Sequence, residues 1–398
     1  MNIAKQLLSA FAALTVALTG CAGNPTGTVD PDAEEQVSEE EVMELTQKTF
    51  AADEQHVKML GRTHAEDGIL WLALSASGVE FTMTGTSASV TLAGDSMVSA
   101  ESNRARFAAY VDGKRVADEM VTETEQTVEI FSSETEKEVT VTLLKLSEAA
   151  QSTVGIKSIN VTSVGDIAPT PEKELKIEFI GDSITCGYGV DDEDRNHHFS
   201  TATEDATKAY AYKTAQLLGA DYSLVSYSGH GIVSGYTTKG KKVTAQQVPN
   251  MYEQFARSYG NYNSFNVSSV DWDFSSFTPD FVVINLGTND ASYTGGDEEL
   301  IREYIDAYKA FLATVRKDNP DAYIICALGL MGQDLCKAID TVVSEYTSES
   351  GDERISAFRL TVQDGGKNGY AADWHPTAAS HDIAAQEMAA EIQRIMAE

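Results

Sequence analysis

A serine that could act as a nucleophile follows a strand-like apolar run in the middle of the chain. Residues 176–192 read KIEFIGDSITCGYGVDD, and the apolar run stops abruptly at Gly181, Asp182 and Ser183. Many α/β enzymes present a nucleophilic hydroxyl on a turn of this kind, although many ordinary strands also end this way. A serine hydroxyl is unreactive at neutral pH unless a base takes its proton. The chemistry therefore depends on a second residue elsewhere in the sequence.

A histidine near the carboxyl terminus is the candidate for that base. His375 stands in the stretch DWHP at residues 373–376, directly before Pro376. Proline suits the first turn of a helix, so this position would hold the imidazole on a loop that leads into the last helix. Imidazole has a pKa of roughly 6.5 and can take up and return a proton near neutral pH. We interpret His197 and His198, which follow an acidic loop, as surface residues or, at most, substrate contacts.

The second half of the chain predicts a parallel sheet that could bring the serine and the histidine together. In residues 173–398 the apolar runs LKIEFIG, DYSLVSYS, DFVVINLG and AYIICALG are each followed by a helical stretch, and RISAFRLT supplies a fifth run. Such alternation, with strands that are apolar throughout, indicates a parallel sheet covered by helices on both faces. Functional groups in these sheets gather at the carboxyl ends of the strands, where Ser183 lies.

The first half of the chain has a different hydrophobic period. Residues 51–165 alternate apolar with small or polar residues, and RFAAYVDGKRVA places an Asp-Gly turn between two strands. Short strands without a long helix predict an antiparallel β-sandwich. The stretch GDIAPTPEKE, with two prolines and a charge run, then predicts a linker between two domains.

The amino terminus predicts export and a lipid anchor. Lys5 precedes the apolar run LLSAFAALTVAL, which is too short to span a membrane and is typical of a signal peptide. The residues LTGC at 18–21 resemble a bacterial lipobox, in which Cys21 would carry the lipid; a plain secretory signal with a chance cysteine is the alternative. Residues 22–50, rich in proline, glycine and acid, predict a flexible tether. We expect a lipoprotein signal at 1–21 and a membrane-anchored protein at the cell surface or on the periplasmic side.

Composition excludes several classes of partner. The 398 residues are 42% hydrophobic and 23% charged, with a formal net charge of −32, so the surface repels nucleic acid. Besides Cys21, the cysteines are Cys186, Cys326 and Cys336, and they form neither an even disulfide set nor a zinc-binding pattern. We expect no cofactor, no metal, no nucleic-acid partner and a monomeric protein.

Four short blocks, in order, carry a resemblance to a known superfamily. They are GDS at 181–183, SGHG at 228–231, GTND at 287–290 and DWHP at 373–376. Each block alone is weak, but all four in this order resemble the SGNH (GDSL-type) hydrolases. The sequences GDSITCGYG and WDFSSFTPDFVVINLGTND, together with the preceding sandwich, most resemble those of carbohydrate esterase family 2. The resemblance covers essentially everything after the tether.

The resemblance implies a fold, an activity and a set of roles. The fold would be a jelly-roll domain followed by a flavodoxin-like, three-layer α/β/α SGNH domain. The activity would be removal of O-acetyl groups from polysaccharides such as xylan or glucomannan by a serine esterase. Ser183 would be the nucleophile and His375 the base, and the tetrahedral oxyanion would accept hydrogen bonds from the backbone N–H groups of Ser183 and Gly229 and from the side-chain amide of Asn289.

The aspartate departs from the superfamily pattern. Most members place it three residues before the histidine, whereas Asp373 lies two before His375 and Ala372 occupies the usual position. Either Asp373 still orients the imidazole through a bent loop, which we favour, or a backbone carbonyl orients it and the site is a Ser-His dyad. Asp182 and Asp290 are expected to hold their own turns through hydrogen bonds to backbone N–H groups.

Further residues could contact a sugar. Aromatic faces stack on sugar rings, so Trp374, Trp272 and Tyr188 are candidate substrate contacts, and His230 could line the pocket beside Gly229. Core packing is an equally good interpretation of each aromatic residue alone. Two other functions stay open from the sequence: an SGNH esterase acting on lipid or cell-envelope esters, and a carbohydrate-binding surface protein with a vestigial site.

Overall fold

The computed structural model describes residues 44–398. The predicted signal at 1–21, the lipid site Cys21 and most of the predicted tether lie outside the described residues. The prediction that the tether continues to residue 50 is wrong in its last part, because Thr46–Phe50 is a β-strand (β1) paired antiparallel with the strand Val154–Ser163. The pairing ends with Phe50, which is buried in the core of the first domain.

The first domain, here called the β domain, consists of antiparallel strands. After β1 they are β2 (Lys58–Leu60), β3 (Thr63–Glu66), β4 (Ile69–Leu72), β5 (Gly78–Gly94), β6 (Arg106–Val111), β7 (Lys114–Met120), β8 (Glu125–Lys145), β9 (Val154–Ser163) and β10 (Ala168–Pro169). The main path of the sheet is β3-β4-β9-β5-β8-β6-β7, with β1 on β9 and with β2 and β10 on β5.

One continuous curled sheet forms this domain. The first part of β5 pairs with β2 and β10, and its second part pairs with β9, while β8 follows it along almost its whole length. Register shifts near Gly85 and Ala88 separate the two parts, and such bulges bend a strand. The alternating pattern of the sequence therefore buries one face of each strand around a core that includes Phe81, Val90 and Phe107. The predicted antiparallel β architecture is confirmed.

The second domain, here called the α/β domain, has a parallel sheet. Its strands are β11 (Lys176–Gly181), β12 (Asp221–Ser226), β13 (Phe281–Asn285), β14 (Tyr323–Leu330) and β15 (Ile355–Val362), in the order β12-β11-β13-β14-β15. Its helices are α1 (Ser183–Cys186), α2 (Tyr210–Leu218), α3 (Thr288–Thr294), α4 (Glu298–Asp318), α5 (Cys336–Ser350) and α6 (Ala378–Met396). This strand order is that of flavodoxin-like sheets, as predicted.

Helices cover both faces of the parallel sheet. Helices α2 and α6 pack on the face that carries Ile177 and Phe179, and helices α4 and α5 pack on the face that carries Ile284 and Cys326. The strands are apolar throughout because both of their faces are buried. No helix among residues 44–398 is long and apolar enough to cross a membrane.

The segment predicted as a linker is partly structured. In the stretch GDIAPTPEKE, Ala168 and Pro169 pair with Thr82 and Phe81 of β5 as strand β10. A proline is tolerated there because an edge strand does not need every N–H for pairing. The chain therefore passes from the β domain to the α/β domain along the side of the first sheet.

Candidate active site

The turn after β11 presents Ser183 at the carboxyl edge of the parallel sheet. Asp182 caps α1, because its carboxylate accepts a hydrogen bond from the N–H of Ile184 at 3.0 Å, and Ser183 is the first helical residue. Gly181 permits the tight approach, since a Cβ there would lie 2.0 Å from the hydroxyl oxygen of Thr185. Asp182 is fully buried, and burial raises its pKa to about 7. Its structural role at this turn is the one predicted.

The structure brings Ser183 and His375 into contact across 192 positions of sequence. The Nε2 atom of His375 lies 2.9 Å from the hydroxyl oxygen of Ser183. Both side chains are almost buried, with 6% of Ser183 and 9% of His375 exposed. The catalytic pair is therefore largely shielded from solvent.

A backbone carbonyl orients the imidazole of His375. Its Nδ1 atom lies 3.1 Å from the carbonyl oxygen of Ala372. Because a carbonyl only accepts hydrogen bonds, Nδ1 must carry the proton and Nε2 must be the free acceptor. Burial lowers the pKa of His375 to about 4, so the ring is neutral at neutral pH. This tautomer is the one that can remove the proton from the Ser183 hydroxyl.

The prediction that Asp373 orients the imidazole directly is wrong. Its carboxylate accepts a hydrogen bond from the hydroxyl of Tyr188 at 2.6 Å and lies 2.8 Å from Nδ1 of His198. Asp373 has a left-handed backbone (φ 48°, ψ 37°) within a short 3₁₀ turn, which aims its side chain away from the ring and leaves the Ala372 carbonyl facing it. The dyad that the sequence left open as an alternative is the arrangement present.

Tyr188 acts on the imidazole instead of lying free for a substrate. Its ring stacks on the ring of His375, with centroids 4.0 Å apart and planes inclined by 23°. Burial and the neighbouring Asp373 hold the pKa of Tyr188 above its usual range, so its hydroxyl keeps the proton that it donates to Asp373. The hydrogen-bonded link from the carboxylate of Asp373 toward the base therefore runs through the tyrosine that packs against the imidazole.

Two backbone N–H groups are available to a developing oxyanion. Among residues 44–398, no protein acceptor takes a hydrogen bond from the N–H of Ser183 or of Gly229. Gly229 lies in the turn of residues 228–230 after β12, here called the oxyanion turn, and has φ +76°, which suits glycine. These are the two backbone donors that the sequence resemblance assigns to the oxyanion.

Asn289 lies beside this site with its amide already engaged. Its Nδ2 donates to the carbonyl of His230 at 2.8 Å and to the carboxylate of Asp182 at 3.2 Å. The second bond is long, so that hydrogen can be shared with a third acceptor. The amide thus connects the serine turn with the oxyanion turn, and its donation to an oxyanion stays a prediction.

The neighbouring Asp290 holds a different segment from the one expected. Its carboxylate accepts hydrogen bonds from the N–H groups of Ile232, Val233 and Ser234, at 3.0, 2.7 and 3.0 Å. Burial raises the pKa of Asp290 to about 6. Asp290 therefore fixes the chain just after the oxyanion turn and not the turn that carries Asn289.

His230 and Trp374 occupy contrasting positions around the site. The His230 ring is buried, and its Nδ1 donates to the carbonyl of Ser228 at 2.9 Å, so it braces the oxyanion turn. Trp374 is 50% exposed beside His375, and the guanidinium of Arg195 lies 4.2 Å from the centroid of its ring. Of the predicted sugar contacts, Trp374 is the one whose aromatic surface is open to solvent next to the base.

The structure places Trp272 in a packing role, and its contact with substrate stays a prediction. Its ring packs on the guanidinium of Arg62 at 5.2 Å and on Phe255. Arg62 in turn binds Glu178 in the amino half of β11, five residues before Ser183 and so roughly 15 Å away along the strand. Trp272 and the nearby Phe274 thus cover a buried arginine at the other end of the sheet.

Sequence reasoning missed two contributors to the site. The carbonyl of Ala372 has no side-chain signal, and only the misplaced aspartate hinted that a backbone group orients His375. Glu148, in the β domain, is part of no recognisable sequence motif. Its carboxylate nevertheless accepts a hydrogen bond from the N–H of Ser228 at 2.6 Å. Neither contact could be found without the turn geometry.

One group of side chains within residues 44–398 has the spacing of a metal site. The ligand atoms of Glu148, Cys186 and Glu204 lie within 4.8 Å of one another, and all three residues are buried. Burial holds the pKa of the Cys186 thiol well above its usual range, so it stays protonated and is a poor ligand. The ammonium group of Lys145 is bound to the same loop and supplies a positive charge. The cluster fits a charge-balanced protein interior better than a metal centre.

Comparison with known proteins agrees with this geometry. The model of the GDSL-like lipase/acylhydrolase family matches residues 179–383, and that of the carbohydrate esterase 2 N-terminal domain matches residues 59–171. The structure of a family two carbohydrate esterase from Clostridium thermocellum, in complex with cellohexaose, is 32% identical with a TM-score of 0.73, covering 86% of this chain and 99% of that one. The chain belongs to carbohydrate esterase family 2. The family resemblance and the two-domain fold predicted from the sequence are confirmed.

Other relatives lie in the same family. An acetyl xylan esterase from the rumen bacterium Butyrivibrio proteoclasticus has a TM-score of 0.80 at 26% identity, covering 89% of this chain and 99% of that one. The cellulase/esterase CelE of Acetivibrio thermocellus is 34% identical over 81% of this chain, which spans only 37% of CelE. An acetylxylan esterase/glucomannan deacetylase of Cellvibrio japonicus is 26% identical to this chain. The alignment covers 87% of this chain and 91% of the relative.

Proposed function

We propose that this protein is a serine esterase that removes O-acetyl groups from polysaccharide through an acyl-enzyme. The observation that carries the proposal is the 2.9 Å contact between Nε2 of His375 and the hydroxyl of Ser183, in the tautomer that a general base needs. Two N–H groups with no acceptor among the described residues lie at the same edge of the sheet. Nucleophile, base and donors are the parts that ester hydrolysis requires.

The first half of the reaction forms an acetyl-serine. The oxygen of Ser183 attacks the acetyl carbonyl carbon while Nε2 of His375 takes the hydroxyl proton. The negative charge that develops on the carbonyl oxygen is stabilised by the N–H groups of Ser183 and Gly229. The carbonyl of Ala372 accepts from Nδ1 and so stabilises the imidazolium. The tetrahedral species then collapses, and His375 returns its proton to the departing sugar oxygen.

The second half regenerates the enzyme. Water gives a proton to Nε2 of His375 and attacks the acetyl-serine carbonyl carbon, and the same two N–H groups stabilise the second oxyanion. Collapse breaks the bond to the Ser183 oxygen, which recovers its proton from the imidazolium, and acetic acid leaves and ionises to acetate in solution. The tyrosine ring stacked on His375 keeps the imidazole in one orientation through both halves.

The substrate class follows from the relatives and from one exposed surface. Relatives are named as acetylxylan esterases and a glucomannan deacetylase, and one was solved with cellohexaose. In this chain Trp374, the residue before His375, is half exposed, and its exposed aromatic surface could pack on a sugar ring next to the acetylated one. We therefore assign acetylated xylan or glucomannan as the substrate.

Acetate release from a panel of polymers tests the proposal. The wild type should release acetate from acetylated xylan and glucomannan but not from acetylated peptidoglycan, and Ser183→Ala should release none. On nitrophenyl esters the rate of an acetyl esterase should fall steeply beyond butyrate. Retained activity in Ser183→Ala would refute the mechanism, and a preference for long acyl chains would indicate a lipid esterase instead.

We also propose that the protein is exported and anchored through a lipid on Cys21, and that it acts as a monomer. The motif LTGC after a short apolar run supports the anchor. In a bacterial host, a clickable fatty acid should label the wild type in the membrane fraction, and Cys21→Ala should lose the label. Light scattering of the purified protein should give a mass close to that of one chain; a dimer would contradict the monomer.

A further inference from the structure

A carboxylate from the β domain lies directly behind the active site. Glu148 stands three residues after the end of β8, the longest strand of the β domain, and is fully buried. Its backbone N–H donates to the carboxylate of Glu204 at 2.9 Å, which fixes the loop against the α/β domain. Its Oε1 accepts from Gln151 of the β domain, whereas its Oε2 contacts residues of the α/β domain.

The carboxylate of Glu148 touches both elements that supply the backbone donors of the oxyanion. Its Oε2 accepts the N–H of Ser228 at 2.6 Å, one residue before Gly229. The same oxygen lies 3.8 Å from the sulfur of Cys186, in helix α1, whose first residue is Ser183. One buried oxygen therefore contacts the oxyanion turn on one side and the helix of the nucleophile on the other.

These contacts fix the direction of the Gly229 N–H. The carbonyl of Ser228 accepts from Nδ1 of His230, and in a trans peptide the C=O and the next N–H point in opposite directions. The ring of His230 thus aims the N–H of Gly229, while Glu148 holds the N–H at the other end of Ser228. Without Glu148, the N–H of Ser228 would lose its acceptor, and of the two contacts at Ser228 only the one between its carbonyl and His230 would remain.

The surroundings keep an acceptor at this position. Burial raises the pKa of Glu148, and the N–H of Ser228 and the ammonium of Lys145 act against that rise. Lys145 itself donates to the backbone carbonyls of Ser147 and Glu148, at 2.5 and 2.8 Å. A carboxyl group retains acceptor oxygens in either protonation state, so the hydrogen bond to Ser228 does not depend on the charge.

We propose that Glu148 is a positioning residue for the oxyanion hole, supplied to the active site by the β domain. The proposal rests on the proposed esterase function and on the oxyanion role of Gly229. It assigns the β domain a part in the chemistry, since the donor that Glu148 aims must be in place before the transition state forms. Glu148 touches neither substrate nor reacting atoms.

Variants of Glu148 in the full-length protein test the proposal against a purely structural role. Deleting an oxyanion donor costs about 10²–10³ in kcat, so misaiming one in Glu148→Ala should lower kcat by about 10- to 100-fold, with KM within about twofold. Glu148→Gln keeps an acceptor oxygen and should recover kcat to within about threefold of the wild type. Glu148→Asp, shortened by one methylene, should lie between the two. If Glu148→Ala does not fold, Glu148→Asp carries the same comparison.

Glu178 provides a matched control at the other end of the strand. It is also a buried carboxylate in contact with the other domain, through Arg62, but it lies in the amino half of β11. Glu178→Asp should lower the melting temperature while leaving kcat within about twofold of the wild type. An equal fall of kcat in Glu178→Asp and Glu148→Asp would show a general effect of stability and overturn the proposal.

A double-mutant cycle with Gly229 gives a readout that stability alone would not move. Gly229→Ala misplaces the donor, because alanine is strained at φ +76°, although a Cβ there meets nothing closer than 3.7 Å. In that background Glu148→Ala should cost less than about threefold further in kcat. Fully additive losses, or kcat within about twofold of the wild type in both Glu148→Ala and Glu148→Asp, would overturn the proposal. Retained activity of Ser183→Ala would instead refute the esterase mechanism, so the two failures differ.

Discussion

Two of the polar contacts between the β domain and the α/β domain differ in whether a neighbouring backbone N–H group is left without an acceptor within residues 44–398. At the amino half of β11, the guanidinium of Arg62 binds Glu178 and the backbone carbonyls of Tyr252 and Gln254, beneath three aromatic rings. Behind the carboxyl edge, Glu148 binds Ser228, and the next N–H, of Gly229, has no acceptor among the described residues. The guanidinium of Arg62 donates its hydrogen bonds to protein acceptors. The contact of Glu148 with Ser228 instead stands beside an N–H group, that of Gly229, which remains available to a ligand.

This difference separates a stabilising contact from a functional one. Buried polar groups are nearly always bonded, so a donor left free in a well-packed region suggests a ligand or a reaction. Both contacts are built from a buried ionisable side chain that joins the two domains. The two contacts use similar groups. The Arg62 contact lies at the amino half of β11 and stabilises the fold, whereas the Glu148 contact lies near the carboxyl edge of the sheet, next to the catalytic residues. Substitutions at the two ends should therefore change different measured quantities.

Removing the base should have the largest effect. His375→Ala eliminates the proton acceptor of Ser183, and we expect kcat to fall by about 10²–10⁴-fold. Acetate release under saturating substrate measures it. His197→Ala, at an exposed histidine whose ring pairs with Asp192 and Asp194, is the control and should match the wild type. A loss of less than tenfold in His375→Ala would mean that another group takes the proton.

At the opposite end, Arg62→Met should change stability and leave the chemistry intact. It leaves the carboxylate of Glu178 buried without its cation, which typically costs about 3–5 kcal/mol in the free energy of unfolding. Urea denaturation measures this, and kcat below the transition should stay within about twofold of the wild type. The matched control is Lys48→Met, which breaks the exposed pair with Asp166 and should cost less than about 1 kcal/mol. A large fall in kcat for Arg62→Met would erase the contrast between the two ends.

The burial of the base should appear in the pH profile. His375 must be neutral to accept a proton, and burial lowers its pKa to about 4. The value of kcat/KM should therefore be level from neutral pH down to about pH 5 and fall below that with a midpoint near 4. A free imidazole would give a midpoint near 6.5. A midpoint above 6 in the kinetic profile would show that the imidazole is more exposed in solution than in this structure.

The smallest effect is expected at Asp373. Since its carboxylate binds Tyr188 and His198, Asp373→Asn should change kcat/KM by no more than about threefold. An aspartate that orients the base directly can be worth about 10⁴ in kcat, so the two arrangements are well separated. The negative charge of Asp373 raises the pKa of His375, so its removal should move the acid limb to lower pH. A loss above 10²-fold would restore Asp373 as a direct partner.

The sequence was sufficient for the parts that depend on local patterns. The apolar runs of β11 to β15 and the helices between them predict a parallel sheet, and the ends of such strands place Ser183 and Gly229 at one edge. The alternating pattern of the first half predicts the antiparallel domain. These features follow from hydrophobic periodicity, which the chain expresses residue by residue.

Other features depend on turn handedness and on contacts between distant segments. Asp373 turns away because of its left-handed backbone, which no spacing rule gives. The sequence suggests that Trp272 could stack on a sugar, whereas in the structure its ring packs on the buried guanidinium of Arg62. Glu148 is 80 residues from Ser228, and its neighbours in the sequence contain no motif. Such contacts arise from packing, and only the folded chain reveals them.

The core shared by the two domains constrains how this chain can be recombined. Leu60, Ala76 and Leu146 of the first domain pack in one cluster with Ile177 and Phe179 of the second. A cut at the connecting segment would expose apolar surface on both fragments and detach the loop that supports the oxyanion turn. Fusions to binding modules should therefore be made at the two ends of residues 44–398, so that the β domain and the α/β domain stay together.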